Sequence, residues 1–396
     1  MMGTFATDRT EQARALSRIS RMHQNRSLSA VGSGSQRHRS GQTPFAGGMD
    51  RRQFLLATIA SASPACRPGP TAPADRLAAI SRLFARLHEQ RLFDGEALVA
   101  ERGIVVYSGA LGVADREAKF PYTTNTPSCL ASLSKPVTAI ALIMLAEKGA
   151  VTFETQLSQL LPGFSPIIGA VTVRQLLTHT SGVPDYPDLG VNRPGVTNAE
   201  ILAALRQVTD PVFPPGLRYQ YSNSGYVLLG QIVESLSGTT LRQFLADRVF
   251  KPLGMGSTFV LTSPEDKKAG VARGYDRNGG VNDFEGMATG DGGVYSTVND
   301  LLRFDQALYE DTLVRQETLA VAFRPAQVRE GSTAYGFGWN IGKDASGLKV
   351  WHQGNTAGFR AFIERRLSRR ITVIMLTNGG DTNRMRINDD VQRILG

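Results

Sequence analysis

The sequence predicts an α+β fold: an antiparallel sheet assembled from both ends of the chain, flanked by helices, with an inserted mainly helical region. Three observations lead there. Short apolar runs of strand length occur at 97–107 and again at 348–376. Between them, residues 172–308 carry apolar positions at helical spacing, broken by Pro- and Gly-rich loops. The 396 residues are 41% hydrophobic and 20% charged, the make-up of a globular enzyme with ample length for a buried core.

Taken in order, residues 1–48 are rich in Ser, Gly, Arg and Gln, the composition of a disordered leader. Met49 is the expected true start, with the preceding stretch an over-extended reading frame. Residues 49–66 read as a twin-arginine-type signal peptide: Arg51-Arg52 precede an apolar run too short to span a bilayer, then small residues. The destination expected is periplasmic or secreted. Membrane anchoring would run through Cys66 if that residue is lipidated, though Ser63-Pro64-Ala65 is a poor lipobox. The formal charge of +9 belongs mostly to this leader. Residues 1–66 hold nine arginines against three acids, a balance of +6 that leaves +3 for the rest. No aromatic residues interleave with those arginines, which argues against nucleic-acid binding.

Arg76 to Leu92 has the pattern of an amphipathic helix. Ala97–Ala100 and Ile104–Tyr107 read as a hairpin turning at Glu101-Arg102-Gly103. Tyr335–Gly342 and Leu348–Trp351 are strand-like, as are Phe359–Arg366 and Ile371–Leu376, and Asn383–Leu395 closes as a helix. With the leader removed, Cys129 has no disulfide partner, and small buried packing is its expected role.

The chemistry concentrates at Ser132-Leu133-Ser134-Lys135. Val137, Ile140, Ala141, Met144 and Leu145 follow at helical spacing. The helix tolerates Pro136 in its first turn and stops at Lys148-Gly149. Residues three apart share a helix face, so Lys135 can reach the Ser132 hydroxyl. Taken alone, Ser132 would be a helix cap and Lys135 a solvated lysine, although a cation at a helix N-terminus is disfavoured. A serine hydroxyl needs a neighbour to take its proton. Lysine does so only when burial and the positive helix end lower its pKa. Tyr221 opens Tyr221-Ser222-Asn223; beside an ammonium its phenolate would be stabilised and could relay the proton. Its alternative is a turn that caps the next helix.

His352-Gln353-Gly354-Asn355 reads as a strand end that lies against another backbone, since glycine removes the side chain there. A backbone N–H at that end, with that of Ser132, could form an oxyanion hole. A second S-x-x-K match, Ser346 to Lys349, falls in a Gly-containing turn between strand-like runs and is set aside.

Together these residues resemble the serine β-lactamase and penicillin-binding protein superfamily, where S-x-x-K carries the nucleophile. The likeness runs to its class C β-lactamase-like branch, which includes D,D-carboxypeptidases, D-aminopeptidases and esterases. It extends from about Leu77 to the C-terminus, through Leu177–Gly182, Gly290–Phe304 and Tyr335–Trp339. The resemblance implies a β-lactamase/transpeptidase-like fold and a β-lactamase-related serine hydrolase domain over residues 70–396. It implies Ser132 as nucleophile, with Lys135 and Tyr221 as the proton-transfer pair. It implies Asn223 as the substrate-amide contact, Asn355 as oxyanion donor, and Gly354 and His352 at the substrate strand. No metal and no cofactor are implied. Where many relatives have K-T-G, this chain has His352-Gln353-Gly354; a mostly neutral histidine anchors a carboxylate weakly.

The expected function is acyl-enzyme hydrolysis of an ester, amide or D-amino-acid peptide, with a small-molecule or peptide substrate; no protein partner is inferable from the sequence. The alternatives are a class C-type β-lactamase or D-Ala-D-Ala carboxypeptidase, and a penicillin-binding module without turnover. No serine lies in G-x-S-x-G, which argues against a Ser-His-Asp α/β-hydrolase. His88, His179 and His352 are dispersed without H-E-x-x-H, which argues against a zinc hydrolase; His179 reads as a hydrogen-bonded structural histidine.

Overall fold

Helix α1, Pro73–Glu89, leads into a hairpin of β1, Gly95–Glu101, and β2, Ile104–Leu111. The turn places Arg102 and Gly103 at φ 53° and 77°, the left-handed pair that matches strand twist. The computed structural model describes residues 73–267, 269–276, 278–283, 286–325, 327–328, 334–379 and 382–396. All fall in the unit Cys66–Gly396. The leader, the signal segment and Cys66 lie outside the described residues.

The C-terminal part supplies β3, Gln327–Val328, β4, Ala334–Tyr335, β5, Asn340–Asp344, β6, Gly347–Thr356, β7, Phe359–Arg366, and β8, Ile371–Thr377. The sheet order is β2-β1-β8-β7-β6-β5-β4-β3, and its described pairings are antiparallel. The two ends of the chain meet where Gly95–Glu101 pairs with Ile371–Thr377. The strand-like run at 335–342 is in fact interrupted. Gly338 (φ 82°) turns the chain there, and a Cβ on it would lie 2.8 Å from the Pro136 Cα. That close approach seats the segment on the start of the central helix.

Helix α2, Lys135–Glu147, is apolar around its whole circumference and buried from Lys135 to Leu145, as a core helix must be. Helices α3, Asn198–Arg206, α4, Asn223–Ser237, and α5, Val298–Ala307, belong to the inserted region. Helix α6, Arg384–Leu395, closes the described chain. Two cores result from strand alternation. Leu98, Ile363 and Ile374 join the large core containing α2 and α4. Ala97, Val99, Phe362 and Val373 pack with Phe84 of α1 and Val391 of α6 on the other face. Coverage on both faces explains why β8 reads as a continuous apolar run instead of an alternating one.

A small sheet pairs Ser128–Cys129 and Phe259–Val260 with Val294–Ser296. The Val294 N–H donates to Ser134 Oγ at 3.2 Å, and Leu130 N–H donates to the Val294 carbonyl at 2.9 Å. These bonds fix the turn that carries Ser132.

Candidate active site

Ser132 sits in a 3₁₀ turn, Ala131–Ser134, that runs directly into α2. It caps nothing: neither helical segment has a side-chain cap bond. Ala131 just before it has φ 47°, a conformation that costs an alanine about 1–2 kcal/mol. The bend is held from the sheet side by Gly354 of β6. A Cβ there would lie 1.9 Å from the Leu130 carbonyl oxygen and 3.2 Å from the Ala131 side chain. Gly354 is therefore where the strand end meets the Ser132 turn, as its glycine suggested.

Lys135 is fully buried. Its ammonium donates to Ser132 Oγ at 3.1 Å, to Asn223 Oδ1 at 2.8 Å and to the Asp291 main-chain carbonyl at 2.9 Å. All three acceptors are neutral. Burial pushes the Lys135 pKa down to about 8, against the opposing charges of Asp291 and Asp185.

Tyr221 corrects one expectation. Its hydroxyl is hydrogen-bonded to Ser132, but burial raises its pKa instead of letting it fall. The ammonium stands over the ring, 4.8 Å from its centroid. Tyr221 is thus a neutral phenol that can pass a proton, and Lys135 is the stronger base. His179 supports it from behind: Nδ1 accepts the Ser222 N–H at 3.1 Å, and the imidazole lies 4.3 Å from the Tyr221 ring. Such a hydrogen-bonded, structural role is the one expected for His179.

Asn223 begins α4, with Ser222 as its cap. Its orientation depends on a residue that sequence reasoning missed, Asp185. The Asp185 carboxylate accepts the N–H groups of Asn223 (2.6 Å) and Ser224 (3.0 Å) and the Asn223 side-chain amide (2.9 Å). A carboxylate at a helix N-terminus is electrostatically favoured. Because Nδ2 is committed to Asp185, Oδ1 must face Lys135. No local pattern links residues 185 and 223; only the tertiary contact does.

The β6 strand end divides its residues. Asn355 lines the cavity against Ser132, about 340 Å³ in volume, together with Tyr186, Asn223, Asp291 and Thr356. His352 is not among the lining residues. It is buried, with Nε2 bonded to the Tyr335 hydroxyl at 3.0 Å and Nδ1 to the Gln353 carbonyl at 2.8 Å. The expected contact between His352 and substrate is therefore replaced by a supporting one, since strand alternation puts the imidazole on the buried face beside Val350. A second missed residue, Arg384 of α6, donates to Gly354 O (2.6 Å), Ala361 O (2.7 Å) and Asn355 Oδ1 (2.7 Å), pinning the strand end.

Cys129 lies in the cavity wall. The discarded serine, Ser346, is held in its hairpin turn by Asp344 and Arg366, while Lys349 approaches Asp344 and Glu364.

A model of the Beta-lactamase family matches residues 80–396. The chain is 36% identical over 324 residues to a penicillin-binding protein of Bacillus subtilis (strain 168), covering 76% of this chain and 71% of that protein. It is 30% identical over 347 residues to Esterase EstB of Burkholderia gladioli, covering 74% and 87%. Its fold is similar to the crystal structure of a penicillin binding protein from Bacillus halodurans, with TM-score 0.70 and 28% identity over 79% of this chain and 98% of that one.

Proposed function

The chain belongs to the Beta-lactamase family, and from that premise we propose that this serine hydrolase forms its acyl-enzyme on Ser132, acting on an ester, amide or D-amino-acid peptide. One observation carries the assignment. A buried lysine of lowered pKa stands 3.1 Å from a serine hydroxyl. Lys135 in its neutral form takes the Ser132 proton as Oγ bonds to the substrate carbonyl carbon. The developing oxyanion is met by the main-chain N–H groups of Ser132 and Asn355, a kind of contact worth about 10²–10³ in rate per donor. Tyr221 hands its hydroxyl proton to the leaving oxygen or nitrogen and is reprotonated from Lys135. The bond to the leaving group breaks. Water then attacks the acyl ester as the same unit takes its proton, and the unit returns that proton to Ser132 Oγ as the Oγ–carbon bond breaks and the acid departs.

The test is a fluorophosphonate or penicillin probe followed by intact mass. One adduct is expected on the wild type and none on Ser132→Ala. An adduct that persists in Ser132→Ala, or that disappears in Ser346→Ala, overturns the assignment. A stable adduct with no turnover of any ester or amide would make the chain a penicillin-binding module instead.

We further propose that the protein acts outside the cytoplasm, in the periplasm or beyond, with a lipid anchor at Cys66 if that residue is processed. The support is Arg51-Arg52 ahead of a short apolar run and small residues. A reporter fused to residues 49–70 should reach the envelope, and replacing both arginines by lysine should stop it. Equal export of the two fusions rules out the twin-arginine route.

A further inference from the structure

The helix Val173–Leu177 ends in a Schellman turn. The Thr180 N–H donates to the Gln175 carbonyl at 2.9 Å, and the His179 N–H to the Leu176 carbonyl at 3.3 Å. This ending puts His179 at φ 58°, in the left-handed region. Glycine is the usual residue at that position, because a side chain is strained there. A histidine kept in the strained conformation and 1% exposed points to a use for its side chain. The contacts show the use. The His179 carbonyl accepts the Gln220 N–H at 2.9 Å, and Nδ1 accepts the Ser222 N–H at 3.1 Å. One residue thus grips the main chain on both sides of Tyr221. An Nδ1 that accepts carries no hydrogen, which assigns the proton of the neutral ring to Nε2. The imidazole lies 4.3 Å from the Tyr221 ring, and the rings of Tyr335 and Tyr226 stand 4.6 and 5.1 Å from it.

We propose that His179 is a positioning residue for proton transfer: by holding Gln220 and Ser222 it fixes the Tyr221 hydroxyl beside Ser132 Oγ, where the leaving group receives its proton. This inference rests on acyl-enzyme formation at Ser132 with Tyr221 as the proton donor, and it names what keeps that donor in line. With an ester, the bond from carbonyl carbon to leaving oxygen breaks, the Tyr221 hydroxyl proton passes to that oxygen, and Lys135 restores it. A misplaced donor costs most where the departing oxygen is most basic, because a weakly basic oxygen leaves without the proton. Ser222 also caps α4 through its side chain, so the segment that His179 grips runs directly into Asn223.

The test follows kcat/KM of the full chain for p-nitrophenyl, p-chlorophenyl, phenyl and p-methoxyphenyl butyrate. Each gives the same acyl-enzyme, so the slope against leaving-group basicity reads acylation alone. His179→Gly and His179→Asn both suit a left-handed backbone and both remove the ring; asparagine keeps an acceptor for the Ser222 N–H and glycine does not. For His179→Gly the loss should be about threefold or less with p-nitrophenyl butyrate and about tenfold or more with p-methoxyphenyl butyrate, which steepens the slope. His179→Asn should keep the wild-type slope. Tyr221→Phe should be steep by itself, and adding His179→Gly should steepen it no further, since the two act through one hydroxyl. A folded His179→Gly with the wild-type slope overturns the inference. So does an asparagine variant as steep as the glycine one, because ring packing would then be the whole effect, and so does further steepening on Tyr221→Phe. If His179→Gly does not fold, His179→Asn decides alone: the wild-type slope supports the inference and a steeper one overturns it. All of these outcomes leave acyl-enzyme formation at Ser132 standing. A wild type that forms no adduct on Ser132 removes that reading, and the inference with it.

Discussion

Among the described residues, two cations are buried to zero exposure, Lys135 and Arg365, and they are held in opposite ways. Arg365 on β7 makes an ion pair with Asp305 of α5 at 2.5 Å and also donates to the Asp305 carbonyl at 3.2 Å. Thr372 donates to the other Asp305 oxygen at 2.8 Å. Lys135 is held only by a hydroxyl, an amide oxygen and a carbonyl. The arginine with its own carboxylate joins two elements, β7 and α5. The lysine, surrounded by neutral acceptors, is poorly compensated, and its pKa falls to about 8. Burial is equal at the two sites, but an ammonium among neutral acceptors can exchange its proton near neutrality, whereas a guanidinium paired with a carboxylate is a fixed structural cation.

The contrast can be broken from several sides. The largest effect is expected at the donor of the exchanged proton: Ser132→Ala should lower kcat on the order of 10⁴–10⁶-fold, read from single-turnover ester hydrolysis. Lys135→Met should lower kcat by about 10²–10⁴-fold without lowering the urea midpoint at pH 7. Arg365→Met should do the reverse, costing about 3–5 kcal/mol of stability by leaving Asp305 buried and unpaired. The double change Arg365→Met with Asp305→Leu should recover most of that loss. If Lys135→Met destabilises as much as Arg365→Met, the distinction fails.

Gly354→Ala comes next. The added methyl meets the Leu130 carbonyl, and repacking there is expected to cost about 1–3 kcal/mol. Because the displaced elements carry both proposed oxyanion donors, affinity for a boronic acid adduct of Ser132 should fall more than affinity for an uncleaved substrate.

The smallest effects are in pH. Lys135 must be neutral to act, so kcat/KM should rise with pH through about 8. Asp185 and Asp291 both hold that pKa up against burial. Asp185→Asn should therefore move the rising limb to lower pH, beside whatever rate it loses by releasing Asn223. Linkage gives a matching sign for stability. The folded pKa of Lys135, about 8, lies below the ordinary lysine value of 10.5, so the unfolded chain binds more protons between them. Its charged form is penalised in full below about pH 8, and wild type should gain on Lys135→Met as pH rises from there toward 10.5.

Much of the architecture was legible because it depends on local periodicity. The strand at Phe359–Arg366 and the closing helix capped by Asn383 were read with their observed bounds, give or take one residue. The 335–342 run was misread because Gly336 and Gly338 answer to contacts from distant residues, Ala322 and Pro136, which leave no periodic trace. The same distinction divides the site. Ser132 and Lys135 are one helical turn apart, so their meeting is written in the chain. Asp185 with Asn223, and Arg384 with Asn355, join residues 38 and 29 positions apart.

The sequence by itself therefore determined the fold class, the family likeness and which residue types could carry acyl transfer, because motif spacing and apolar period are local properties. Tertiary structure alone decided their working states. It buried Lys135 among neutral acceptors, left Tyr221 a neutral phenol, turned His352 toward Tyr335 and made Asp291 the charged group of the described cavity wall. Protonation and access depend on what surrounds a group in space, and those surroundings are assembled from segments that no local pattern connects.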